Sequence, residues 1–323
     1  LEAVKQFTGM DMVIMKSGGV EAVETACNIA SQFWHTKNKS EVKSGKPYFV
    51  APHGCFHGRT RFARSLSSSI SSRIGFEPLV SNIIHVPYGD TETLRGVLAS
   101  LRNLVAGFIV EPIQGEAGVI IPPEGYLKRV AELCKEFDVL LILDEIQTGF
   151  GRTGSDWVFE RECVKPDLLC GGKADGGGIV PVSFIAGQKG VMSVMQPGTE
   201  GATWSGTPIQ CIALMAAIKE LSDNNLSKQS KEKGGYFLAL LKDLARKYPD
   251  IVTEIRGMGL FVGVDTIYDG TKLSHALLEE GLWAKETGEN GGTLRLSPPL
   301  IIPKDELARA VSIFERALLR LKQ

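Results

Sequence analysis

The chain has 323 residues, 43% of them hydrophobic and 23% charged, with a mean hydropathy of +0.03, which excludes a peptide, a disordered chain and a fibrous one. About two domains of ordinary size are expected. Thirty-six basic residues against thirty-seven acidic ones leave a net charge of -1 and no basic stripe, so neither nucleic acid nor a membrane surface is an expected partner.

Leu1 runs straight into an amphipathic pattern, and the first strand is predicted at Met12 to Met15. Ser17-Gly18-Gly19-Val20-Glu21-Ala22 then leads into a helix reaching about Phe33. Amides at such a helix start, uncrowded at glycine, form an anion site suited to phosphate. In isolation the segment reads more readily as a plain strand-to-helix turn. A strand at Tyr48 to Ala51 precedes Phe56-His57-Gly58-Arg59-Thr60, where a flat ring and a guanidinium lie within three residues. Arg59 suits a bidentate grip on a carboxylate, or a surface ion pair; His57 taken alone reads as structural.

Ala106 to Val110 and Val139 to Leu143 are strands separated by a helix whose Leu127, Val130, Leu133, Cys134 and Phe137 share one face. The second run is continuously apolar, as a strand buried on both sides should be, and this alternation predicts an α/β fold with a mainly parallel sheet. Directly after it comes Asp144-Glu145-Ile146-Gln147-Thr148-Gly149. Ligands sit beyond the carboxyl ends of such strands, and a carboxylate there needs a cationic partner, for which a protonated heterocyclic nitrogen would serve. Asp144 reads equally as a helix N-cap.

A strand at Leu168 to Cys170 leads into Gly171-Gly172-Lys173-Ala174-Asp175-Gly176-Gly177-Gly178. Lys173, enclosed by glycines, leaves room for a planar carbonyl compound with which lysine forms a Schiff base; alone, it reads as an exposed loop lysine. After a strand at Ser183 to Ala186 and an Ala-rich helix from Pro208, the polar break at Ser222-Asp223-Asn224-Asn225 marks the expected boundary between residues 1–222 and 223–323. The second part is predicted as a smaller α+β domain. It holds a long polar helix, strands at Gly259 to Val264 and Thr293 to Leu296, a helix at Thr271 to Gly281 and a final helix striped by Leu307, Val311, Phe314, Leu318 and Leu321.

Cys27, Cys55, Cys134, Cys163, Cys170 and Cys211 include no CxxC pair and no metal-finger spacing. Reduced, buried thiols, a cytoplasmic setting and no bound metal are expected. No leader of basic and apolar residues opens the chain, and its apolar runs are too short for a bilayer. Walker A, HExxH, GxSxG and GxGxxG signatures are absent, which removes the usual support for P-loop phosphoryl transfer and hydride transfer.

Five segments, SGGVEAVETAC (17–27), FHGRT (56–60), EPIQGEAGV (111–119), LDEIQTGFGRTG (143–154) and GGKADGGGIVPVS (171–183), together resemble the class III pyridoxal-phosphate-dependent aminotransferases in composition and order. The resemblance covers essentially the whole chain. It implies fold type I and a homodimer or higher homo-oligomer, with amino acid and 2-oxo acid substrates and pyridoxal 5'-phosphate as cofactor. Within the family, EPIQGEAGV, SLSSSISSRIGFEP and GLWAKETGENGGTLRLSPPLII look most like the branch that moves the δ-amino group of ornithine to 2-oxoglutarate. The acetylornithine and 4-aminobutyrate branches look similar, but less so.

By that resemblance Lys173 carries the cofactor as a Schiff base and then shuttles the proton, while Asp144 keeps the pyridine nitrogen protonated. Phe56 stacks on the ring, Gln147 bonds its phenolic oxygen, the Gly19 and Val20 amides bind phosphate, and Thr203 reaches the phosphate of the neighbouring subunit. Arg59 holds the α-carboxylate of ornithine. Glu116 masks Arg295 in that half-reaction and releases it for the 2-oxo acid, so that one site accepts a dibasic and then a dicarboxylic compound.

The family more often has an aromatic or aliphatic residue at Asp175 and Val180, and histidine, serine and asparagine at Glu200, Ala202 and Thr207. Asp175 is expected to add negative charge near Lys173, and Ala202 to weaken a cross-subunit contact. The family also places a further segment before its first strand, so an N-terminal segment is expected ahead of Leu1. These departures, with that abrupt start, leave a second class of reading, an impaired homologue kept as a binding protein.

Overall fold

A computed structural model describes residues 1–38, 46–69, 73–288 and 291–322. Ile70 to Ser72 of the SLSSSISSRIGFEP run and Glu289-Asn290 of the GLWAKETGENGG run lie outside the described residues. The chain divides into two compact units. The first takes Leu1–Pro112, Pro122–Gln147 and Trp157–Glu220, and the second takes Ile113–Ile121, Thr148–Asp156 and Leu221–Gln323.

The first unit is built on a seven-stranded sheet. In chain order its strands are β1 (Met12–Lys16), β2 (Tyr48–Pro52), β3 (Ile83–Val86), β4 (Val105–Val110), β5 (Leu140–Asp144), β6 (Leu168–Gly171) and β7 (Ser183–Gly187). Their spatial order is β1-β7-β6-β5-β4-β2-β3. The pairs β5–β6, β4–β5, β2–β4 and β2–β3 are parallel, and β7 runs antiparallel to both of its neighbours. The predicted mainly parallel α/β sheet is therefore present. Every residue of β4 and β5 is buried, which is why both read as unbroken apolar runs.

Helices α1 (Glu2–Thr8), α2 (Gly19–Lys37), α3 (Arg61–Leu66), α4 (Thr91–Leu101), α5 (Tyr126–Glu136), α6 (Val158–Arg161) and α7 (Lys189–Met192) belong to this unit. Along α2, Ala22, Val23, Ala26, Cys27, Ile29, Ala30 and Trp34 are buried at helical spacing and join Phe49, Ile109, Ile142 and Ile185 in the main core. Each large aliphatic side chain so buried contributes roughly 1.5–3 kcal/mol. The Asp90 carboxylate caps α4, its Oδ1 accepting from the Glu92 and Thr93 amides at 3.0 Å.

Helix α8 (Pro208–Asp223) carries the chain on to the second unit. That unit holds an antiparallel sheet of order β10-β11-β9-β8, made from β8 (Val252–Met258), β9 (Phe261–Thr266), β10 (Lys285–Thr287) and β11 (Thr293–Leu296). Its helices are α9 (Leu226–Lys247), α10 (Gly270–Glu279) and α11 (Lys304–Lys322), with Phe237, Leu241, Leu273, Leu307, Phe314 and Leu318 buried in its core.

Three expectations are corrected. Gly259 is not the start of a strand: with φ of 57° it forms the turn between β8 and β9, and its Cα hydrogen stands where a Cβ would lie 2.5 Å from the Thr153 carbonyl carbon. Strands β3, β8 and β10 were not expected from the sequence; all three lie at sheet edges, and β10 is a three-residue polar run. Four of the six thiols are buried, but Cys163 is exposed and Cys211 half-buried. Among the described residues no helix is long and apolar enough to cross a membrane, and no cluster of His, Cys, Asp or Glu could hold a metal ion.

Candidate active site

Strands β5 and β6 end side by side in the first unit, and the segments leaving them supply two of the residues singled out by sequence. Asp144 is the last residue of β5 and is buried. Its Oδ1 accepts from the Ile146 amide at 3.2 Å, and its Oδ2 lies 2.7 Å from His57 Nδ1. No helix begins at Asp144. The capping role falls to Glu145, whose carboxylate accepts the Val158 and Phe159 amides at the start of α6 at 3.0 and 2.9 Å. Asp144 is thus left for the cavity.

His57 is fully withdrawn from water. Burial alone would lower its pKa, but the Cys55 sulfur and the Asp144 carboxylate outweigh it and hold the imidazole well above its usual 6.5. A donated Nδ1–H from His57 and the Ile146 amide together fix the orientation of the Asp144 carboxylate.

Lys173 follows β6 by one extended residue and opens a single 3-10 turn, Lys173–Gly176. Its φ is +57°, a left-handed conformation that a non-glycine residue adopts at a cost. Behind it Gly171 is a steric requirement, since a Cβ there would come within 2.4 Å of the Phe184 ring. Asp175 is buried in the same turn and its Oδ2 has no hydrogen-bond partner. Burial pushes its carboxyl well above the usual range, with the Lys173 charge opposing.

The start of α2 is arranged for an anion. The Glu21 carboxylate accepts the Ser17 and Gly18 amides at 3.0 and 2.8 Å, and Ser183 Oγ donates to the Gly18 carbonyl at 2.8 Å. The amides of Gly19 and Val20, in the first helical turn, have no intrahelical acceptor. Gly58, at φ of 134°, lets the Phe56–Arg59 segment pass Val20 closely: a Cβ would meet Val20 Cγ2 at 2.4 Å.

These residues meet at one cavity of about 270 Å³, lined by Gly19, Val20, Phe56, His57, Gly58, Glu111, Asp144, Ile146, Gln147 and Lys173. A primary amine, an oriented carboxylate, a helix N-terminus and an aromatic ring face a single space. The donor set fits pyridoxal phosphate, with its aldehyde, ring nitrogen and phosphate. Sequence reasoning passed over Glu111, whose Oε1 accepts the Phe56 amide at 2.9 Å. The signal was available, because Glu111 follows the apolar strand β4 just as Asp144 ends β5.

Two candidates of this unit lie outside that lining. Arg59 is exposed, its Cζ 5.9 Å from the centroid of the Phe56 ring. Thr203 is exposed in a turn next to Trp204. The segment carrying Thr203 is pinned at both ends. Buried Lys16 donates to the Glu200 carbonyl at 2.8 Å, while Thr25 and Asn28 donate to its carboxylate at 2.9 Å. Gln210 donates to Ser17 Oγ at 3.2 Å and to the Pro181 carbonyl at 2.8 Å.

The remaining two candidates are in the second unit, and they touch. Glu116 Oε1 lies 2.7 Å from an Arg295 guanidinium nitrogen, and Glu116 Oε2 lies 3.0 Å from Lys285 Nζ, a partner the sequence did not suggest. Burial works to raise the Glu116 pKa, but the hydrogen bonds and charges of Arg295 and Lys285 bring it down to about 2. The Thr287 hydroxyl and Gly288 amide donate to the Glu116 carbonyl at 2.5 and 2.9 Å, fixing the backbone that carries this carboxylate.

Comparison with known proteins adds a second line of observation. The family model Aminotransferase class-III matches residues 1–318. The chain is 41% identical over 319 residues to the ornithine aminotransferase of Exiguobacterium sp., covering 98% of this chain and 76% of that protein. An ornithine aminotransferase structure from Toxoplasma gondii, described with partial occupancy of PLP at its active site, superposes with a TM-score of 0.91 at 34% identity, over 99% of this chain and 75% of that one. The acetylornithine aminotransferase of Elizabethkingia anophelis superposes with a TM-score of 0.85 at 34% identity, over 99% and 77%.

Proposed function

The chain belongs to the class III aminotransferase family, and we propose that within it the protein acts as an ornithine aminotransferase, moving the δ-amino group of L-ornithine to 2-oxoglutarate in two half-reactions. The products are glutamate 5-semialdehyde and glutamate. The observation that carries this reading is the convergence of Lys173, Asp144 and the Gly19–Val20 helix start on one cavity, in a chain 41% identical to an ornithine aminotransferase.

Bound pyridoxal phosphate supplies an electron sink for the substrate carbon that bears the amine. Lys173 Nζ would hold the cofactor, and its amine would then carry the proton from that substrate carbon to the cofactor carbon. Asp144, oriented by His57 and the Ile146 amide, holds a proton on the ring nitrogen. The Gly19 and Val20 amides hold the phosphate, and Phe56 and Gln147 line the ring's space. Arg59 binds the α-carboxylate of ornithine. Glu116 masks Arg295 while the substrate is dibasic; when the 2-oxo dicarboxylate enters, Arg295 is released to bind its carboxylate.

A homodimer accounts for a surface otherwise costly to leave in water: Trp204 is 72% exposed and Ile179, Ile209, Ile212 and Met215 are also exposed. Thr203, beside Trp204, then serves the neighbouring subunit. Six free cysteines suit a cytoplasmic setting.

The test is spectroscopic. Cofactor-loaded protein shows a visible absorbance band that disappears on addition of ornithine and returns with 2-oxoglutarate, and borohydride fixes the cofactor to the peptide carrying Lys173. A band unchanged by ornithine but discharged by N-acetylornithine or 4-aminobutyrate assigns the protein to a sister activity. Persistence of the band with all three amines supports a binding protein instead.

A further inference from the structure

Glu116 faces two cations. Lys285 and Arg295 are direct partners in the antiparallel register of β10 and β11, so two like charges stand opposite each other on adjacent strands. Such a pair is repulsive unless an anion lies between its members, and the Glu116 carboxylate does so, one oxygen to each. The two contacts differ in their surroundings: the Arg295 side chain is 9% exposed, whereas that of Lys285 is 50% exposed. Arg295 is the inner partner and Lys285 the solvent-facing one.

This arrangement bears on how Arg295 can be released. With Arg295 as its one cation, Glu116 would be stranded whenever the guanidinium turned to a substrate carboxylate, and a half-buried carboxylate without a partner is strongly disfavoured. With Lys285 already 3.0 Å away, the carboxylate keeps a cation throughout. Two cations then face two anions, Glu116 and the incoming carboxylate, and the charges balance. In the amine half-reaction no exchange is needed, because Arg295 stays on Glu116.

We propose that Lys285 is a positioning residue specific to the acceptor half-reaction: it retains Glu116 while Arg295 binds a dicarboxylate. The inference rests on the ornithine aminotransferase reading and deepens it. Lys285 touches no substrate in this scheme and acts through Glu116.

The experiment compares Lys285→Met and Lys285→Arg with the unaltered protein, all loaded with cofactor. The two half-reactions are followed separately, and the dissociation constant of glutarate, an unreactive dicarboxylate, is measured by calorimetry. Lys285→Met is expected to raise both the KM for 2-oxoglutarate and the glutarate dissociation constant about tenfold, with the KM for ornithine moving less than about twofold. Lys285→Arg restores both. Equal shifts for the two substrates, an unchanged glutarate constant in Lys285→Met, or failure of Lys285→Arg to restore it overturns the inference and leaves the functional reading standing. An unaltered protein that responds to neither ornithine nor 2-oxoglutarate overturns the reading and the inference together.

Discussion

His57 and Asp144 form a buried pair, Nδ1 to Oδ2 at 2.7 Å, in which the imidazole is held well above its ordinary pKa. The native state therefore binds the His57 proton more tightly than the unfolded chain does. The stabilisation this provides is complete below the unfolded value near 6.5 and fades as pH rises through the higher native one. The gap in melting temperature between the unaltered protein and His57→Asn is expected to narrow steadily as pH is raised above 6.5. Calorimetry across that range checks it, and a widening gap contradicts it.

Lys173→Ala is expected to lower turnover by about 10³-fold or more, because it removes both the covalent anchor and the group that moves the proton. The fold should persist, since the Lys173 side chain is exposed. Mass spectrometry after borohydride treatment should find no cofactor attached to the 173 peptide, while equilibrium dialysis still detects reversible binding through the Gly19–Val20 amides.

Glu200→Ala removes the carboxylate 3.4 Å from Lys16 Nζ, whose side chain is 5% exposed. Breaking one side of a buried ion pair costs about 3 kcal/mol. Lys16→Met combined with Glu200→Gln leaves no buried charge unpaired and should cost clearly less. Urea unfolding of the three proteins gives the comparison, and equal losses for the single and double variants would count against a charge-based role.

The depressed pKa of Glu116 has the opposite sign of consequence from that of His57. Its contribution to stability is present above the unfolded value of 4.5 and is lost as pH falls toward about 2. Glu116→Gln should therefore flatten part of the acid-unfolding profile between those values. An unchanged slope in a circular dichroism titration would refute this assignment.

Much of the first unit was legible because its physics is local. Val139 to Leu143 could be read as a buried strand from its unbroken apolar run, and α5 from residues recurring at three and four positions. What escaped depends on contacts between distant segments. Nothing near Asp144 in sequence announces His57, and the surface where they meet exists only once β5 and the segment after β2 lie in one sheet. The same is true of Lys285, which acquires its role from the β10–β11 register and whose three-residue strand is too short to carry a pattern. The burial of Asp175 is likewise invisible in a glycine-rich segment.

The left-handed backbone at Lys173 places robustness and activity in opposition at a single position. A lysine at φ of +57° is held there at a cost of about 1 kcal/mol, whereas glycine adopts the same angle freely. Lys173→Gly should then melt at a higher temperature than the unaltered protein in the absence of cofactor, while turning nothing over. Backbone stability alone would favour glycine at this position, whereas the Schiff-base chemistry proposed for it requires the amine.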